Sequence, residues 1–156
     1  MTARAASLLF LRLSLALLML VWGADKFANP DHGVQVATHF YGGVLGERGA
    51  MPVLGALQLA LGVLVALGVL RRWVYPALAL ATGVTLLGVW RSVVDPWGWW
   101  LEGANVLFFP SLIICAGALV LVAFRVDDRM AFDARARGAA VLDRHAGEQR
   151  ERTSGF

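Results

Sequence analysis

Four apolar runs, at residues 5–27, 51–70, 73–94 and 103–124, make up most of this 156-residue chain. Each is close to the roughly 20 residues with which a helix crosses about 30 Å of hydrocarbon. A buried helix of a soluble bundle is the other home for such a run. Soluble helices carry a polar stripe, however, and these four are apolar on all faces. Composition agrees: 58% of the residues are hydrophobic and only 16% are charged, where soluble domains have about 25% charged residues. Those values exclude a disordered chain and argue against a nucleic-acid-binding module, in spite of a pI near 9.8. The first run has a long core and ends in Trp22-Gly23-Ala24-Asp25-Lys26, a poor cleavage site, so it reads as a span and not a signal peptide. The expected fold is all-α: an integral membrane four-helix bundle over residues 1–124, followed by a tail over residues 125–156.

The scarce basic residues orient this bundle. Arg4 and Arg12 begin the first span, Arg71 and Arg72 form the link between spans two and three, and seven arginines follow span four. Eleven of the 14 Lys/Arg residues thus fall on one side, leaving Lys26, Arg48 and Arg91 for the other. The positive-inside rule places both termini in the cytoplasm. Trp22, Trp90, Trp97, Trp99 and Trp100 lie near the outer boundary, and Trp73 and Tyr75 near the inner one, as in interfacial aromatic belts. The Trp97–Trp100 stretch also has the chemistry to wall a ligand pocket.

The connections add detail. Asn29-Pro30 has the form of an N-cap followed by proline at the first helical position. Val34, Ala37 and Tyr41 then share one face, and Gly42-Gly43 ends the pattern. A short amphipathic helix at the outer membrane surface is expected there. Small residues such as Gly55, Gly62, Ala77 and Gly88 line spans two and three and allow close helix contact in lipid. Pro110, inside span four, predicts a kink. In the tail, Val126, Met130, Ala134 and Val141 form part of a helical stripe. A cytoplasmic helix to about residue 145 and then a disordered, solvated end is expected.

Charges in or beside spans are functional candidates by default. Arg12 and Lys26 are 14 residues apart and project from one face of the first helix. Arg12 reads equally as a snorkelling side chain and as one member of a pair inside the bundle. Asp25, Lys26, Arg91, Asp95 and Glu102 map to the outer ends of spans, which converge in an antiparallel bundle. Asn105 follows Glu102 by three residues, and Gln58 lies two turns inside span two. Lys26, Gln58, Trp90, Arg91, Glu102 and Asn105 are therefore the candidates for an outer polar ligand pocket, with a purely structural network as the alternative. Asp25, Arg12, Arg71 and Arg72 are assigned to topology and structure. His32 and His39, with Asp31, lack diagnostic metal-ligand spacing, and no metal is expected. No histidine lies in a span, which excludes a bis-histidine haem. Cys115 is the lone cysteine, one turn after Ser111, and reads as a packing residue.

The first span, from Arg12 through Trp22-Gly23-Ala-Asp25-Lys26 to Asn29-Pro30, resembles the opening of the DoxX/DoxD-like family, with the correspondence on Arg12, Gly23 and Lys26. The second span, Gln58-Leu-Ala-Leu-Gly62 onward to Gly68, is similar to that family's glycine-rich second helix, although the family often has an acidic residue where this chain has Gln58. Glu102-Gly103-Ala-Asn105 opens a compatible fourth span, so the resemblance extends over residues 8–124. It implies a multi-pass protein of the bacterial plasma membrane, and a link to quinone-coupled oxidation of sulfur compounds or to thiol redox defence. Without a covalent cofactor motif, the implied role is a membrane subunit that binds a quinone or anchors an oxidoreductase partner. A non-catalytic scaffold or assembly factor is the alternative. A small-solute transporter is a third reading and would require a homo-oligomer.

Overall fold

The computed structural model describes residues 2–44, 46–134 and 136. The elements among them are helical: α1 (Ala3–Ala28), α2 (Pro30–Tyr41), α3 (Met51–Leu67), α4 (Arg71–Gly88), α5 (Trp90–Val94) and α6 (Ser111–Ala123), with single 3-10 turns at Arg48–Ala50 and Val106–Phe108. Among the described residues, three stretches are long and apolar enough to cross a membrane: Ala3–Ala28, Arg48–Leu67 and Val106–Ala123. The chain is thus an all-helical membrane protein. The outward faces agree with this. Phe10, Leu13, Leu17 and Val21 on α1, and Val53, Leu57, Val63 and Leu67 on α3, are all exposed. Such continuous apolar faces are compatible with lipid and not with water.

The core is built from the opposite faces. Leu8, Leu15, Ala16 and Met19 of α1 meet Val65 of α3, Val74, Tyr75 and Leu78 of α4, and Ala118 and Leu121 of α6. α1 packs chiefly against α3, and α4 against α6. The α1–α3 seam is antiparallel and close because glycine removes side chains from it. A Cβ on Gly23 would lie 2.9 Å from the Leu59 backbone nitrogen, and one on Gly62 would lie 3.1 Å from the Ala16 carbonyl. Lipid supplies no hydrophobic drive for helices to associate, so this van der Waals contact is what holds the pair together.

Several expectations about the elements change. The third apolar run, 73–94, is not one helix: α4 ends at Gly88, Val89 is non-helical, and α5 follows as a short turn. α4 opens on two arginines and carries Pro76, Thr82 and Thr85, so it falls short of the other spans in apolar character. The fourth run begins late. Gly98 and Gly103 hold left-handed φ of 69° and 80°, so residues 98–105 turn instead of coiling. Pro110 is the N-cap of α6 and not a kink within it. α2 forms as expected, with Asn29 at the N-cap, Pro30 at the first helical position and Gly42 at its end with φ 62°, but the Asn29 side chain makes no capping bond; its amide donates to Asp25 Oδ1 instead. The helix also packs over the bundle end: Ala37 is buried and Tyr41 sits against Gly88.

The segment after α6 differs most. Residues 125–131 are turns and bends, so Val126 and Met130 do not lie on a helical stripe. Nor is this stretch a solvated extension, for Asp128 and Ala131 are fully buried. The expected helix to residue 145 and the disordered end fall outside the described residues beyond 136.

Candidate functional site

Polar groups gather at both ends of the bundle. At the end that holds the start of α1, Arg12 is buried and its Nη1 donates to Asp128 Oδ2 at 3.0 Å, while Nη2 donates to the Met130 carbonyl at 3.4 Å. The Tyr75 hydroxyl donates to the same Asp128 oxygen. Arg71, equally buried, donates from Nη1 to the carbonyls of Arg125 (2.7 Å) and Asp128 (2.8 Å), and its backbone N–H donates to Asp133 Oδ2 at 3.1 Å. Arg12 is therefore a member of a buried pair and does not snorkel. Arg4 and Asp127 pair at 3.3 Å on the surface beside it. These contacts join α1, α4 and the segment after α6. A buried carboxylate that serves both a guanidinium and a hydroxyl compensates the charge, while Asp128 Oδ1 and the Nε atoms of Arg12 and Arg71 remain buried without a hydrogen-bond partner.

The six candidates for the outer pocket separate into two groups. Arg91, Trp90, Glu102 and Asn105 belong to α5 and the loop after it. Arg91 Nη1 donates to the Glu102 carbonyl at 3.2 Å, and its guanidinium lies 5.9 Å from the Trp90 ring centroid. The Asn105 N–H donates to Ser92 Oγ at 3.0 Å, and Asn105 Oδ1 accepts from the Leu107 N–H at 2.9 Å. Buried Asp95 completes the set by accepting from the N–H groups of Trp100 (2.6 Å) and Leu101 (2.9 Å). Burial acts to raise its carboxyl, but those backbone donors outweigh it and hold the group below the usual carboxylate value. This loop fixes an exposed aromatic plate in which Trp97 and Trp99 stack at 5.1 Å and Trp100 abuts Trp99 edge-on at 5.6 Å. Glu102 is exposed and contributes its carbonyl rather than its carboxylate. Its expected place beside Asn105 on one helix face is lost because the segment is not helical.

Lys26 and Gln58 form the other group, in the α1–α3 seam. Glycine positions them: a Cβ on Gly55, one turn before Gln58, would lie 3.1 Å from Lys26 Cβ and 2.9 Å from the Gly23 carbonyl. Lys26 is half-buried and bends back so that Nζ donates to the Trp22 carbonyl at 3.4 Å. Its neighbour Asp25 is occupied elsewhere, with His32 Nδ1 at 2.6 Å from Oδ2 and Asn29 on Oδ1. No carboxylate pairs with Lys26 among the described residues. Gln58 Oε1 is buried and has no hydrogen-bond partner. The seam thus holds a cation with spare donors and, about a turn away, an amide oxygen with nothing to accept. Unpaired buried polar atoms are costly and call for an explanation.

His32 is engaged by Asp25, and among the described residues no three His, Cys, Asp or Glu side chains gather as a metal site. Cys115 is buried in α6. Sequence reasoning missed Asp128 and Asp133, and it read Tyr75 as an interfacial belt residue, whereas Tyr75 is fully buried in the core. The available signal was Arg12 itself, since a buried guanidinium demands a carboxylate, and Asp127-Asp128 follows the last span directly.

The DoxX family model matches residues 7–93, which include both members of the seam. No curated protein and no solved structure matches the chain.

Proposed function

This chain belongs to the DoxX family, and from that premise we propose that it is a membrane subunit of a quinone-coupled oxidoreductase system in sulfur or thiol redox chemistry. Its own part is to hold the quinone headgroup in the α1–α3 seam, with a separate oxidoreductase subunit supplying the catalysis. The observation that carries this reading is the unpartnered Gln58 Oε1 beside the under-used Lys26 ammonium. A quinone carbonyl needs a donor, which Lys26 Nζ provides. A quinol hydroxyl needs an acceptor, which Gln58 Oε1 provides. One seam can therefore receive both oxidation states, and the stacked tryptophans at the same end offer an apolar approach. In this reading the chain spans the bacterial plasma membrane four times, α4 and α5 together making one pass, with both termini in the cytoplasm. The Arg4–Asp127 and Arg12–Asp128 pairs support that topology by bringing the two ends of the described chain together.

The test is quinone content. Wild-type protein extracted in mild detergent should carry ubiquinone or menaquinone by mass spectrometry at a sizeable fraction of one per chain. Lys26→Met and Gln58→Leu should each reduce it about tenfold, as the loss of one charge-assisted or buried hydrogen bond implies. Equal quinone content in wild type and in both folded variants would remove the seam from the function and favour the scaffold reading.

A further inference from the structure

A cavity lies at the end of the bundle opposite the seam, between the α3–α4 link and the segment after α6. It measures about 530 Å³ and is lined by Leu70, Arg72, Trp73, Arg125 and Asp133. We infer that it binds the phosphate of an anionic lipid headgroup. Two arginines, Arg72 and Arg125, line it, and neither guanidinium has a carboxylate partner among the described residues. Arg72 has only the Trp73 ring, 5.5 Å from its guanidinium carbon. Arg125 is held through its backbone, where Arg71 Nη1 donates to its carbonyl, and the residue lines the cavity. The one acid in the lining, Asp133, is turned to Arg71: Oδ2 accepts the Arg71 N–H and lies 3.9 Å from Nε. The cavity therefore presents net positive charge to an incoming anion. Guanidinium forks match phosphate oxygens in pairs, so two of them suit a phosphodiester.

The lip of the cavity points to lipid as the source of that phosphate. Leu70 is 57% exposed and Trp73 69% exposed, and both line the cavity with the arginines. Leu70 holds a left-handed φ of 51° in the short link that begins at Gly68. A tryptophan and a leucine beside two arginines have the amphipathic order of the membrane interface: acyl chain and glycerol against the apolar lip, phosphate against the guanidiniums.

The full chain, stripped of lipid in detergent, should be given phosphatidylglycerol, phosphatidylcholine or inorganic phosphate and followed by native mass spectrometry and thermal unfolding. The expected result is retention and thermal stabilisation with phosphatidylglycerol over phosphatidylcholine, and no stabilisation by inorganic phosphate at equal concentration. Arg72→Gln alone should weaken phosphatidylglycerol retention about fivefold, and the Arg72→Gln/Arg125→Gln variant about thirtyfold. Arg129→Gln, an exposed arginine outside the cavity, should leave retention unchanged. The single Arg72 variant keeps the test available if the double variant fails to fold. Equal retention of the two lipids, or an equal loss in Arg129→Gln, would overturn the site in favour of diffuse charge. Stabilisation by inorganic phosphate matching that of the lipid would overturn the lipid as its ligand.

Discussion

Asp128→Ala is expected to destabilise the protein by about 3–5 kcal/mol, because it leaves Arg12 buried and unpaired. Arg12 is 3% exposed and Asp128 is fully buried, so water cannot take over the lost contact. The same substitution removes the acceptor of the Tyr75 hydroxyl. Reversible unfolding in mixed detergent and dodecyl sulfate would measure the loss. Pairing Arg12→Met with Asp128→Asn tests the cause. That double variant removes the stranded charge and keeps an oxygen for Tyr75, so it should be more stable than either Arg12→Met or Asp128→Asn alone. If the double variant loses as much as the sum of its single substitutions, the pair is not the source of the effect.

Gly68→Ala is expected to be nearly as damaging, and for two reasons that add. Gly68 ends α3 with φ 67°, which costs an L side chain about 1–2 kcal/mol. A Cβ there would also lie 2.9 Å from the Ala131 backbone Cα and press on the Arg12 guanidinium. Backbone cannot move aside as a flexible side chain can, so overpacking of about 1–3 kcal/mol should follow. The loss should resemble that of Asp128→Ala in kind: the segment after α6 should detach and become open to protease near residue 129. Alanine at Gly42, which has a similar φ of 62° and open space around it, should show only the backbone part. Equal losses at the two glycines would mean that the docked segment contributes nothing.

What could be read from the sequence depends on how far apart the contributing residues are. The apolar runs announced α1, α3 and the body of α6 because each is a local pattern with one dominant constraint, the thickness of hydrocarbon. α2 was legible from Pro30 and Gly42-Gly43, which act on their own neighbours. The break at Val89 and the late start of α6 were not, since a twenty-residue apolar window averages over Gly98, Gly103 and Pro110. Lys26 and Gln58 could be chosen as odd polar residues in apolar surroundings. Their relation through Gly23 and Gly55 required the antiparallel register of two helices. The Arg12–Asp128 pair joins residues 116 positions apart. Only the rule that a buried charge needs a partner pointed toward it, and that rule names no residue. Glu102 shows the converse error, for the three-residue spacing to Asn105 means proximity only where a helix exists.

The two polar regions divide the work of the fold. The Arg12–Asp128–Tyr75 network pairs its charges and ties the start of α1 to α4 and the segment after α6, although Arg12 Nε and Asp128 Oδ1 keep no hydrogen-bond partner. The Lys26–Gln58 seam holds an unsatisfied amide oxygen and a cation with no carboxylate partner among the described residues, where Gly23 and Gly55 let α1 and α3 approach. The central claim is that a quinone completes it. A photoreactive quinone analogue, illuminated on the protein in native membranes and mapped by peptide mass spectrometry, puts that claim to its most direct test. The account predicts label on peptides of α1 around residues 22–26 and of α3 around residues 55–59, competed by unmodified quinone and lost in Lys26→Met. Label confined to the exposed tryptophans at 97–100, or unchanged by competitor, would contradict it.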